Sequence, residues 1–152
     1  MVNDTRATAA AFFASYRAAF GRADAAAILE HFAFPCHITS EAREITLTPL
    51  ASREDGERMI EQLLDMYRKV GVASARVLDL AANEISPRLV QALVHWALID
   101  AAGNCLYAFE AAYTLASIGG ALRICAIAHN EIPRYRECLA RIAPRATGAA
   151  PG

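Results

Sequence analysis

Phe12, Phe13, Tyr16 and Phe20 recur at three- and four-residue steps among alanines, a spacing that predicts an amphipathic helix at the start of the chain. Asp4 or Thr5 is the expected cap and Gly21 the expected stop. Asp24 then caps a shorter second helix that turns Ile28, Leu29 and Phe32 inward and ends at Pro35. Two short strands follow, near residues 36–40 and 44–48. The stretch SRED at residues 52–55 has the form of a capping box and opens a third helix. Met59, Ile60, Leu63, Leu64 and Tyr67 make its apolar face, and Gly71 ends it. Beyond that point the period changes from helical to alternating. Long strands are predicted near residues 75–84, 89–100, 104–116 and 120–131. Residues 1–140 read as one domain, and residues 141–152, rich in small residues, as a flexible tail. Helices segregated from an antiparallel sheet define an α+β class.

The last two hairpins can be registered from their turns. DAAGN at residues 100–104 and ASIGG at residues 116–120 both place glycine fourth of five. That suits a type I turn followed by a left-handed glycine. Pairing Asp100 with Asn104 sets His95 opposite Phe109, and pairing Ala116 with Gly120 sets Tyr107 opposite His129. Side chains alternate along a strand, so His95, Tyr107, Phe109, Ala111, Tyr113, Ile127 and His129 are expected on one face. Val90, Ala92, Val94, Trp96 and Leu98 then make an apolar stripe on the other. A stripe of that size predicts a homodimer through the outer face of the sheet.

Composition narrows the partners. The 152 residues carry 15 basic and 16 acidic side chains with no basic run, which argues against nucleic acid. The N-terminus has Asp4 and Arg6 where a signal peptide needs an apolar run, and residues 111–128 are broken by Gly119, Gly120 and Arg123. The expectation is a soluble, cytoplasmic protein with no membrane partner. Cys36, Cys105, Cys125 and Cys138 show no CxxC pairing, and the four histidines lack zinc-site spacing. Free thiols, no metal and no cofactor are expected.

The stretch SYRAAFGRADAAAILEHF, residues 15–32, and the order of three helices, two short strands and a long sheet resemble the nuclear transport factor 2-like superfamily, also called the SnoaL-like or ketosteroid-isomerase-like fold. The resemblance covers residues 9–137. It implies a cystatin-like, cone-shaped, curved sheet wrapped on three helices from the N-terminal half, with a pocket between them and dimerisation through the outer sheet. It also implies that Tyr16 matches the isomerases' first-helix tyrosine, which donates to a developing enolate oxygen. Ser40 falls where those enzymes keep their general-base aspartate. The second oxyanion acid has no counterpart among Tyr107, Phe109, Ala111 and Tyr113. Serine does not take a proton from carbon without a base of its own, so isomerisation of a ketosteroid is not expected. Glu41 is one residue away and points to the opposite face unless a bulge intervenes.

The candidate pocket is therefore Tyr16, Ser40, His95, Tyr107, Phe109 and His129. A histidine on an apolar inward face must find a partner, and His95 and His129 are expected about 12 Å apart at the backbone, flanking one ligand. Histidine titrates near neutrality, and some dehydratases of the resembled fold use paired histidines. One reading is thus a lyase or isomerase with Tyr16, His95 and His129 as catalytic groups, and with Ser40, Tyr107 and Phe109 contacting a small, mostly apolar molecule. A second is a module that binds such a molecule without chemistry. A third is an association domain whose interior is closed by packing.

Overall fold

The computed structural model describes residues 2–148. Helix α1 (Val2–Gly21) starts before its expected cap, which leaves Asp4 inside its first turn. Its buried positions Ala9, Phe12, Phe13, Tyr16 and Ala19 follow the helical step. Asp24 accepts from the amide of Ala27 at 3.1 Å and opens α2 (Ala25–Leu29). That helix ends six residues short of Pro35. Phe32 and Pro35 belong instead to strand β1 (Phe32–Glu41), which pairs with β2 (Ile45–Leu50). Ser52 caps α3 (Arg53–Val70), and Asp55 returns the bond by accepting from the amide of Ala51 at 3.0 Å. Gly71, at a φ of 85°, is the left-handed stop.

Close packing of α3 on α2 and β1 depends on one glycine in the first turn of α3. A Cβ at Gly56 would lie 2.7 Å from Phe34 Cζ and 2.9 Å from Leu29 Cδ2. Glycine costs a helix about 1 kcal/mol relative to alanine, whereas overpacking costs about 1–3 kcal/mol. Gly56→Ala is therefore expected to destabilise by about 1 kcal/mol net in urea denaturation. A stabilised variant would contradict the tight approach.

The remaining strands are β3 (Val72–Ser86), β4 (Leu89–Asp100), β5 (Cys105–Ile118) and β6 (Ala121–His129). The sheet runs β2-β1-β6-β5-β4-β3, and it is mixed, because β1 lies parallel to β6 while the other neighbours are antiparallel. A further helix, α4 (Glu131–Gly148), follows β6. It occupies the end of the expected last strand and enters the segment expected to be a flexible tail; residues 149–152 lie outside the described residues.

The register of β4 on β5 differs from expectation by one residue. Asp100 and Asn104 do close the turn, with Gly103 left-handed. A bulge beyond it then pairs Leu98 with Tyr107, Trp96 with Phe109 and His95 with Glu110. The slip reverses the faces of β4. Val90, Ala92, Val94, Trp96 and Leu98 point inward and are buried within the chain, so they are not an outer stripe. His95 points outward. The physical reason is burial: without the bulge, β4 and β5 could not both turn their apolar sets toward the helices. The β5–β6 turn also differs, since Ile118 pairs with Ala121 across Gly119 and Gly120, both at positive φ. A second bulge at Cys125 restores parity. Phe109, Ala111, Tyr113, Ile127 and His129 therefore share the inner face as expected, with His129 opposite Ala111 instead of Tyr107.

Candidate functional site

Between the inner face of the sheet and helices α1 and α3 lies an open-mouthed cavity of about 590 Å³. Its walls are mostly apolar, with Phe20 from α1, Ile60 and Leu64 from α3, and Trp96, Phe109 and Ile127 from the sheet. The mouth carries Arg17, Arg58 and Arg68. Arg58 is paired with Asp55 and Arg68 with Asp65.

Four expected site residues, Tyr16, Ser40, Phe109 and His129, come together around this cavity. Tyr107 is on the inner face but stands behind the wall, where its hydroxyl is engaged by Glu131. His95 is not part of the site. It sits beside Glu110, Asn130 and Arg134 in a shallow outer depression, placed there by the bulge at Leu106 of β5. The pair of histidines flanking one ligand is thus replaced by a single histidine. Glu41 is exposed and does not line the cavity, and no bulge turns it inward.

Strands β1 and β6 run parallel with Ser40 level with His129, and Ser40 Oγ lies 3.0 Å from His129 Nε2. The other ring nitrogen, Nδ1, accepts the backbone N–H of Glu131 at 3.1 Å. A nitrogen that accepts carries no hydrogen, so the neutral ring must carry its hydrogen on Nε2. His129 therefore donates to Ser40. Burial lowers its pKa from the usual histidine value, which favours this neutral form. In this arrangement His129 is not a base toward Ser40, and the serine is not an activated nucleophile.

The buried carboxyl in the cavity wall is that of Glu131, the first residue of α4. It is 5% exposed, and Oε2 accepts the hydroxyls of Tyr67 at 2.7 Å and Tyr107 at 2.8 Å. Burial pushes its carboxyl up to about 7, although both tyrosine bonds pull the other way. Burial, followed by the neighbouring Glu131 carboxyl, raises Tyr67 and Tyr107 well above the usual tyrosine range, so both remain donors. With Oε2 holding two donors, a proton on the carboxyl belongs on Oε1. Tyr16 is likewise raised, first by burial and then by Tyr113 and Glu131. Tyr113 is fixed by an N–H donated from Trp96 at 2.9 Å. Among the described residues no sealed side-chain N or O lacks a partner. The Tyr16 hydroxyl makes no hydrogen bond to the described residues, and Tyr16 lines the cavity.

Glu131 was legible in principle. Asn130 followed by Pro133 in a first turn, with Ile132, Tyr135 and Cys138 at helical spacing, is a helix start. Read as strand, the same residues conceal a carboxylate at the helix entrance. Among the described residues no group of three His, Cys, Asp or Glu side chains is placed to hold a metal ion. The described cysteines are free thiols; Cys36 and Cys138 are buried, while Cys105 is exposed. No described helix is long and apolar enough to cross a membrane.

A curved six-stranded sheet closed over an interior cavity by helices defines the NTF2-like, cystatin-like class. The family model for NTF2-like protein (DUF6841) matches residues 5–132, and the chain belongs to that family. An NTF2-like protein of unknown function from Pseudomonas putida KT2440 superposes with a TM-score of 0.68 at 12% identity, over 86% of this chain and 88% of that one. An NTF2-like protein with a cystatin-like fold from Novosphingobium aromaticivorans gives 0.65 at 12% identity, over 84% and 81%. A putative calcium/calmodulin dependent protein kinase II association domain from Xanthomonas campestris gives 0.60 at 15% identity, over 80% and 84%. These similarities concern the fold. No curated protein matches the sequence.

Proposed function

We propose that the cavity binds a small, mostly apolar molecule and moves a proton on it, the chemistry of an isomerase or lyase, with Glu131 as the acid–base group. The observation that carries this reading is a buried carboxyl in the wall of an open apolar cavity, with one oxygen held by two tyrosines. Glu131 takes the role that the sequence offered to histidine, because His129 has both ring nitrogens engaged and His95 is outside. A carboxyl near 7 exchanges protons readily at neutral pH. When the carboxylate removes a proton α to a carbonyl, the C–H electron pair moves to the carbonyl oxygen. The open hydroxyls of Tyr16 and Ser40 are suited to stabilise that oxygen. The test is exchange of the α-hydrogens of 2-tetralone in D2O, followed by proton NMR. Acceleration over buffer supports the reading, and a rate equal to buffer contradicts it. The alternative, binding without chemistry, is favoured if 2-tetralone binds yet does not exchange.

The proposal of a homodimer through the outer sheet stands on other residues than the ones first expected. Leu47, Thr39, Ala128, Ala112, Leu93 and Ala81 are consecutive cross-strand neighbours on the outer face, one from each strand. Leu47 and Leu93 are 64% and 47% exposed, and the alanines between them leave room for a second sheet. A two-fold contact would cover this row with its own copy. The chain is expected to sediment as a dimer and Leu93→Glu as a monomer. A monomeric wild type at micromolar concentration would contradict the interface.

A further inference from the structure

The hydrogen-bond direction between His129 and Ser40 has a consequence for what the cavity selects. The chain of donors begins at the Glu131 amide, passes to His129 Nδ1, and continues from Nε2–H to Ser40 Oγ. Because Ser40 accepts from the ring, its own hydrogen is not used in that bond. Ser40 lines the cavity beside apolar walls, so the hydrogen is available to whatever fills it. A half-buried hydroxyl with a free hydrogen favours a ligand that brings an acceptor, and the histidine fixes where the oxygen sits. Resting on the cavity reading above, we propose that His129 is a positioning residue that acts through Ser40, and that Ser40 makes this a site for apolar molecules bearing a neutral acceptor oxygen, the ketone and enone class.

Two neighbouring features decide against a carboxylate ligand. Of the three mouth arginines, Arg58 and Arg68 already face Asp55 and Asp65, and Arg17 donates to the Ala75 carbonyl, so each already has a partner when an anion arrives. Inside, an anion would lose its water next to the Glu131 carboxyl. A neutral carbonyl meets neither difficulty. It accepts one hydrogen bond and leaves the rest of the molecule to the aromatic walls.

The experiment compares 2-tetralone with tetralin, which has the same ring frame and no oxygen, by titration calorimetry. Wild type is expected to prefer the ketone, and Ser40→Ala to lose about 2- to 12-fold in ketone affinity, as for one neutral hydrogen bond. Tetralin affinity should be unchanged. His129→Gln offers an amide N–H to Ser40 and an amide oxygen to the Glu131 N–H, so it should keep the ketone preference and the exchange activity. His129→Leu should lose the preference. Long-range proton–nitrogen NMR should show His129 with hydrogen on Nε2 and none on Nδ1 at pH 7. A hydrogen on Nδ1, or loss of exchange in His129→Gln with ketone binding intact, would make the ring a proton carrier and overturn the positioning role. Equal affinity for tetralone and tetralin in wild type overturns the carbonyl selection alone. Failure of both to bind removes the cavity reading and the ligand class together, while the nitrogen spectrum still decides the direction of the His129–Ser40 bond.

Discussion

Glu131→Gln is expected to slow α-hydrogen exchange on 2-tetralone by about 10²- to 10⁴-fold, the usual contribution of a positioned acid–base group. The amide keeps an oxygen for Tyr67 and Tyr107, so the cavity should keep its shape and its affinity for the ketone. What it loses is the capacity to take a proton. In wild type the active form is the carboxylate, whose population rises as pH passes the carboxyl's pKa of about 7. The exchange rate should therefore climb between pH 6 and pH 8 and level off above, whereas the residual rate of Glu131→Gln should show no such step. A variant as active as wild type would move the chemistry elsewhere, and a wild-type profile flat across that range would do the same.

The same carboxyl should leave a signature in stability. Its pKa is raised in the folded chain, from 4.5 to about 7, so the folded state holds the proton more tightly than the unfolded state. The stability this provides is complete below about 4.5 and is lost as pH rises through about 7. A shift of that size corresponds to about 3 kcal/mol at about 1.4 kcal/mol per pKa unit. Urea denaturation of Glu131→Gln should lack this loss, so its stability relative to wild type should rise by about 3 kcal/mol from acid to pH 8. His129 works in the other direction, since its lowered pKa makes the fold lose stability as pH falls below the usual histidine value. It is present in both proteins and cancels in the comparison. A difference that stays constant with pH would mean that Glu131 is ordinarily solvated.

Much of this architecture is legible from local signals. Ser52, Asp24 and Gly71 mark helix ends through chemistry that acts within four residues, and the helical face of Phe12, Phe13 and Tyr16 is visible in the spacing alone. Strand β4 was legible to the residue, yet its faces were not. Its two alternating sets are both apolar enough to bury, and a single bulge beyond a correctly read turn decides between them. That choice is made by the whole core, not by the turn. Tyr16 and Ser40 are legible through the resemblance, and Phe109 and His129 through strand parity, and all four line the cavity. Glu131 was missed because its character comes from contacts 64 and 24 residues distant in the chain, to Tyr67 and Tyr107. A glutamate in a row of letters looks solvated until those two hydroxyls are placed against it.

Those two hydroxyls also set an order of events for a chain made from its N-terminus. Tyr67 and Tyr107 leave the ribosome well before Glu131, and helices and strands can begin to associate while the last segment is still being added. Until α4 docks, each tyrosine must keep a water or stay out of the interior, because a buried hydroxyl without a partner costs about 1–3 kcal/mol. The hydroxyls of Tyr67 and Tyr107 are therefore among the last groups of the interior to be shielded from water. In a nascent chain halted at Asn130, Tyr67 and Tyr107 should be open to nitration by tetranitromethane, from which Glu131 shields them in the finished protein.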